Sequence, residues 1–192
     1  MAAALDLCGN PSSVHAEGRQ ARKLVEDARA IVAGAVGALT RNVVFTSGGT
    51  EANALALRSG LKRGSNPPVE RLVVSAIEHA SVLAGGQFAA AAVGTAGVNR
   101  SGLVDLDQLR ASLADGPPAL VSVMLANNET GAVQPVAEVA EIVHVAGGLL
   151  HVDAIQAFGK IPCDMATLNA DLMTLSAHKI GGPKGVGAVV MA

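Results

Sequence analysis

The chain has 192 residues, 50% hydrophobic but only 2% aromatic, with no Trp or Tyr and a formal net charge of −2. That length supports one globular domain with a substantial core, which has to be built from Ala, Val and Leu, as where helices pack closely on a parallel sheet. The charge balance excludes bulk electrostatic attraction to nucleic acid, and the two cysteines, Cys8 and Cys163, have neither a disulfide framework nor metal-ligand spacing.

Along the chain, the N-terminal Met1-Ala2-Ala3-Ala4-Leu5-Asp6 lacks the basic start of a secretory signal. With the sparse cysteines it favours a soluble protein in the reducing cytoplasm, each thiol acting as a small buried hydrophobe. Ala21, Leu24, Val25, Ala28, Ile31 and Val32 recur at helical spacing and predict a helix from Glu17 to about Ala38. Arg19, Arg22, Lys23 and Arg29 on it read as a solvated face. Val43 to Thr46 predicts a short buried strand, and Gly48-Gly49-Thr50 opens a helix running to about Leu61.

After the loop at Ser65-Asn66-Pro67-Pro68, Leu72 to Ser75 predicts a second strand, followed by Glu78-His79. The uncharged stretch from Ala80 to Val98 approaches the length of a membrane span. Its Gln87, glycines and small residues instead predict a buried helix from Ser81 and a Gly-rich turn. Asp105 caps a helix to Leu113, and Leu120 to Leu125 is a buried strand. The loop Asn127-Asn128-Glu129-Thr130-Gly131 leads to a helix over Val136–Val145. Strands at Leu149–Val152, Leu172–Leu175 and Val186–Met191 complete the series. Strands alternating with helices predict an α/β fold, a mainly parallel sheet with helices on both faces.

In such sheets the polar groups just past the strands meet at one edge, where ligands bind. Thr50, His79, Asn128, Asp153, Ser176 and Lys179 all fall there. Lys179, beyond a strand and beside Ser176 and His178, suits a Schiff base to pyridoxal phosphate (PLP). Its free amine is needed for imine exchange, so partial burial or a cationic neighbour is expected to depress its pKa. Asp153 is a natural counter-anion for a protonated pyridine nitrogen, although a lone aspartate there serves equally as a turn or helix cap.

Gly49 and Thr50 precede a helix whose amides point at any bound anion, and Ser176 and His178 complete a phosphate site. Gly-Gly-Thr before a helix also fits an ordinary turn, and the missing Gly-Lys-Ser/Thr ending disfavours a P-loop. Gln156 and Asn128 offer amides to a ring hydroxyl or substrate. His79 can stack on the ring or carry protons.

These motifs in this order resemble the cysteine desulfurases of the class V aminotransferase group, the NifS/IscS-like proteins. The resemblance runs nearly the whole chain, from Gly9-Asn10-Pro11-Ser12-Ser13-Val14-His15 through Thr46-Ser47-Gly48-Gly49-Thr50-Glu51-Ala52-Asn53, Glu78-His79 and Asn127-Asn128-Glu129-Thr130-Gly131. It continues through His151-Val152-Asp153-Ala154-Ile155-Gln156 to Ser176-Ala177-His178-Lys179. It implies the large domain of the fold type I PLP enzymes, with residues 1–192 forming one partial PLP-binding domain.

By that resemblance Lys179 holds PLP, Asp153 pairs with the ring nitrogen and His79 stacks on the ring, with Lys179 and His79 catalytic. Gln156 and Asn128 contact ring substituents, while Gly49, Thr50, Ser176 and His178 bind phosphate. The implied reaction converts L-cysteine to L-alanine as an enzyme cysteine takes the sulfur as a persulfide. The persulfide supplies iron–sulfur cluster assembly or another sulfur acceptor. A homodimer is expected, with no nucleic-acid or membrane partner.

The resemblance also implies that the chain starts past the family's Asp-Asn-Asn-Ala-Thr-Thr-like segment and stops soon after its lysine. The small C-terminal domain, the persulfide cysteine and the carboxylate-binding arginine are expected to lie outside it, as is the phosphate contact from a neighbouring subunit. Neither Cys8 nor Cys163 matches the nucleophile. Two other readings stay open: another class V lyase or aminotransferase, such as a selenocysteine lyase, or an inactive truncated paralogue that only dimerises.

Overall fold

The computed structural model describes residue 4 and residues 6–192, so the reading of the first six residues lies mostly outside it. The helices are α1 (Ala16–Ala35), α2 (Gly49–Ala56), α3 (Ala80–Leu83), α4 (Leu106–Ala114), α5 (Val136–Val145) and α6 (Met165–Leu168). The strands are β1 (Val43–Thr46), β2 (Arg71–Ser75), β3 (Val93–Ala96), β4 (Ala119–Met124), β5 (Leu149–Asp153), β6 (Leu172–Ser176) and β7 (Gly187–Met191).

All seven strands form one sheet in the order β1-β7-β6-β5-β4-β2-β3. The run from β3 through β2, β4 and β5 to β6 is parallel, and β7 is antiparallel to both its neighbours. β1 therefore points the same way as β6. Five strands that carry polar residues just past their ends (β1, β2, β4, β5 and β6) consequently finish at one edge of the sheet.

Alternation along the strands divides the core into two. Leu72, Val74, Leu120, Leu149 and Leu172 pack with Ala52, Ala56 and Leu57 around α2 on one face. Val73, Val121, Val123, Leu150, Val152 and Met173 pack on the other with Leu109 and Leu113 of α4 and with Val139 and Val143 of α5. With helices on both faces, every central strand is buried along its length, which is why these strands read as continuous apolar runs. Each fully buried Leu or Val contributes about 1.5–3 kcal/mol relative to exposure.

Local chemistry sets several boundaries. His15 caps α1 by accepting the Gly18 N–H on Nδ1 at 3.2 Å, and Asp105 caps α4 by accepting from Asp107 and Gln108 at 3.1 and 3.0 Å. The basic face of α1 is only partly solvated. Lys23 pairs with Asp27 at 2.5 Å, but Arg29 is half-buried, donates to the Val43 carbonyl and lies 5.0 Å over the Phe45 ring. Arg29 thus ties α1 to β1.

Two expected helices are shorter than their periodicity implies, and the segments that follow them are joined: Gln87 N–H donates to the Leu57 carbonyl at 2.8 Å and Gln87 Nε2 to the Ala54 carbonyl at 3.2 Å. Gly86 makes the close approach possible: its φ is +57°, and a Cβ there would lie 2.3 Å from the Leu57 oxygen. The helix expected from Glu51 to Leu61 stops at Ala56, and the one expected after Ser81 is the single turn α3. The rest of that stretch enters β3. No helix among the described residues is long and apolar enough to cross a membrane. Cys163 is buried as expected, whereas Cys8 is exposed because the segment before α1 runs over the surface.

Candidate active site

At the shared strand edge lies a cavity of about 360 Å³. It is lined by Gly49 and Thr50 from the start of α2, His79 after β2, Asn128 after β4, Asp153 and Gln156 at the end of β5, and Ser176, His178 and Lys179 after β6. The structure therefore brings all nine sequence-selected site residues to one place. A larger recess of about 670 Å³ lies where β5 and β6 begin, and none of the nine lines it.

Asp153 closes β5 and is 4% exposed. Oδ1 accepts the Ile155 N–H at 3.0 Å, and Oδ2 accepts an Asn53 side-chain N–H at 2.9 Å. Burial pushes its pKa up, opposed by the bonds from Ile155 and Asn53 and by the neighbouring His79. Among the described residues it makes no salt bridge. A buried carboxylate with lone pairs to spare on a cavity wall is chemically suited to a cationic N–H ligand.

His79 caps α3. Its Nδ1 accepts the Ser81 N–H at 3.1 Å and lies 2.8 Å from Ser81 Oγ. Because Nδ1 accepts the Ser81 N–H it carries no proton, so Ser81 Oγ, which accepts from Asn53 at 2.9 Å, donates its hydrogen to His79 Nδ1. A neutral His79 therefore carries its proton on Nε2. Ser176 is 3% exposed, and its Oγ is 2.9 Å from His178 Nδ1.

Gln156 Oε1 accepts from Lys160 Nζ at 3.1 Å. The turn after β4 is organised by Asn127, which accepts from Glu129 and Thr130 at 2.9 Å each, and Asn128 is left at the cavity. Lys179 sits in a 3-10 turn, Ala177–Ile180, and is exposed, so of the two alternatives expected for it, partial burial or a cationic neighbour, the burial is not found. The turn follows β6 directly and places the lysine at the cavity mouth.

Two further buried polar residues, Asn53 and Glu78, stand in the sequence only as members of the motifs. Asn53 is fully buried and holds Asp153, Ser81 and Thr174 together. Its signal in the sequence is a polar residue on the apolar stripe Ala52, Ala56, Leu57. Glu78 is 6% exposed, and its Oε1 accepts from Ser75 Oγ at 2.5 Å and from Met124 N–H at 2.6 Å. Its Oε2 has no hydrogen-bond partner among the described residues, and burial pushes its pKa up to about 8. Glu78 thereby joins the loop carrying His79 to the end of β4.

The donor set fits PLP. The cavity offers a primary amine at its mouth, a buried carboxylate lacking a cationic partner, and hydroxyl and imidazole groups beside a helix N-terminus. Gly49 keeps that terminus open, because a Cβ there would come within 2.3 Å of Ile155 Cδ1 and 3.3 Å of Ser176 Cβ.

A mainly parallel sheet of this order, with the site built from five strand ends, is the large-domain architecture of the fold type I PLP-dependent transferases. Within that class the chain belongs to the aminotransferase class-V family, whose description matches residues 3–192. It is 44% identical over 187 residues to a cysteine desulfurase of Nostoc sp., covering 96% of this chain and 46% of that protein. It is 39% identical over 184 residues to the cysteine desulfurase IscS of Dictyoglomus turgidum, covering 94% and 46%.

Among solved structures, a NifS-like protein from Rickettsia africae superposes with a TM-score of 0.87 at 36% identity, covering 99% of this chain and 52% of that one. SspA in complex with cysteine superposes at 0.82 and 33% identity, covering 97% and 54%. The chain thus spans about half the length of the relatives it matches.

Proposed function

We propose that residues 1–192 are the cofactor-binding portion of a PLP-dependent cysteine desulfurase. The observation that carries this reading is the convergence of nine residues from separate strand ends on one cavity, with the uncompensated Asp153 carboxylate in its wall. The curated relatives named cysteine desulfurase and the similarity to SspA in complex with cysteine support L-cysteine as the substrate. In the complete protein the carbon–sulfur bond of cysteine breaks and a sulfur–sulfur bond forms to an enzyme thiol, leaving alanine and a persulfide. An iron–sulfur scaffold or another sulfur acceptor then takes the sulfur, in the cytoplasm and from a homodimer.

PLP, when bound, supplies an electron sink for the carbanion formed on the substrate. This chain's residues do the positioning. Lys179 would offer the amine that anchors the aldehyde, and Asp153 would be the counter-anion of the ring nitrogen. His79 would stack on the ring, its Nε2 side available for proton transfer. Gln156 and Asn128 orient ring substituents. Gly49, Thr50, Ser176 and His178 hold the phosphate with the start of α2, a helix end that adds roughly 0.3–2 kcal/mol for an anion, depending on burial.

Visible absorbance of the purified chain titrated with PLP tests this. A band that Lys179→Ala abolishes, and that borohydride traps on Lys179, is the expected result. A folded chain with no such band, or a band unchanged in Lys179→Ala, contradicts the assignment.

A further inference from the structure

On the face of the sheet toward α2, the three central strands show the same gradient. Leu120-Ser122-Met124, Leu149-His151-Asp153 and Leu172-Thr174-Ser176 share that face by their period of two and their register. Each runs from a leucine, through a polar residue in the middle of the core, to the cavity edge. The three middle residues, Ser122, His151 and Thr174, are each 0% exposed. None of them lines the cavity. Polar side chains in such a place are costly unless every group has a partner.

The distances settle which group donates to which. Thr174 Oγ1 lies 2.7 Å from Asn53 Oδ1, which can only accept, so the threonine hydrogen goes there. Thr174 Oγ1 is then an acceptor for His151 Nε2 at 3.1 Å, which places the imidazole proton on Nε2. His151 Nδ1 is left as an acceptor, and Ser122 Oγ at 2.8 Å donates to it. Asn53 passes the polarity on through one N–H to Asp153 Oδ2 and through the other to Ser81 Oγ, which donates to His79.

We propose that Ser122, His151, Thr174 and Asn53 form a one-way hydrogen-bond chain through the core that orients Asp153 and His79, so that Thr174 and His151 are positioning residues for the cofactor site. The direction matters. If Thr174 ceased to donate, Asn53 Oδ1 would be a buried acceptor without its donor, and the amide would be held only through its N–H bonds to Asp153 and Ser81. Oriented this way, each bond polarises the next toward the carboxylate. The role rests on the reading of Asp153 as the partner of the PLP ring nitrogen.

The test combines a measurement on the protein without PLP and one with it. Nitrogen-15 NMR of histidine-labelled protein, with His151 assigned by its loss in His151→Gln, is expected to show a neutral ring protonated on Nε2. PLP titration by visible absorbance is expected to show about tenfold weaker binding for Thr174→Val. In an Asp153→Asn background the same substitution is expected to cost clearly less than in the wild type, because the branch of the chain that ends on the carboxylate is already lost. Thr174→Ser keeps the hydroxyl and is expected to restore binding, which separates the bond from the packing and serves if the valine variant does not fold.

His151 protonated on Nδ1, or losses from Thr174→Val and Asp153→Asn that simply add, overturns the chain while leaving the PLP assignment intact. A folded wild-type protein that fails to bind PLP overturns the assignment, and with it the role given to Thr174 and His151, whatever the tautomer.

Discussion

Asn53, in the second turn of α2, donates one side-chain N–H to Asp153 Oδ2 at 2.9 Å across 100 residues of sequence, and its other N–H to Ser81 Oγ at the same distance. One amide thus couples the buried carboxylate to the histidine that caps α3. Asn53→Leu, close in volume, leaves an Asp153 lone pair without its donor and the Thr174 hydroxyl hydrogen without its acceptor. It is expected to destabilise the fold by about 1–3 kcal/mol and to weaken PLP binding by at least tenfold, read from denaturant melts and absorbance titrations respectively. Unchanged PLP affinity in a stable Asn53→Leu protein would detach Asn53 from the site.

Glu78 makes stability depend on pH. Its pKa is pushed up to about 8 from an ordinary 4.5, chiefly by burial. The folded protein therefore holds a proton that the unfolded chain releases, so this contribution is full below pH 4.5 and is lost as pH rises through 8. Each unit of separation corresponds to about 1.4 kcal/mol. Glu78→Gln keeps an acceptor for Ser75 and Met124 and carries no charge. Urea unfolding at several pH values should show the variant relatively more stable at pH 8 than at pH 5, and a parallel pH dependence in the two proteins would contradict this.

His151 acts in the opposite sense. Complete burial pushes its pKa down to about 3 from an ordinary 6.5. Its contribution is present above pH 6.5 and is lost as pH falls toward 3, because only the unfolded chain takes up the proton. Between pH 4.5 and 6.5 the two groups compensate, which flattens the wild-type profile. His151→Gln is expected to remove the acid-side loss attributable to this imidazole. A variant that loses stability on acidification as steeply as wild type would refute a buried neutral ring.

Gly49→Ala tests the opening of the α2 N-terminus. The new methyl meets Ile155 Cδ1, the far end of a side chain that itself lines the cavity, so the isoleucine can yield only by moving. PLP affinity is expected to fall about tenfold with little change in melting temperature. Ile155→Val in the same protein removes Cδ1 and should recover most of the loss. Failure of that second substitution to help would place the effect in the backbone instead.

Most of the elements were legible because their signals are local. β1, α5 and β5 lie where alternating and helical apolar spacing put them, and Asp105 caps α4 as its position predicts. β3 and the early end of α2 were not legible. The close approach of Gly86 to the Leu57 carbonyl beside that helix end joins segments that no periodicity links. The exposure of Lys179 and Cys8 likewise follows from where the sheet edge and the N-terminal segment lie.

By itself the sequence determined the residue types at the ends of the strands, and so the chemistry open to the site: an amine, a carboxylate, imidazoles, and hydroxyls beside a helix start. Only the tertiary structure decided that β1 and β6 run in the same direction on either side of an antiparallel β7, which brings those ends into one cavity. It alone also decided the partners of Asn53, Glu78 and His151. Burial makes each of those groups costly unless it is paired, and the pairing partners come from strands and helices far apart in the chain.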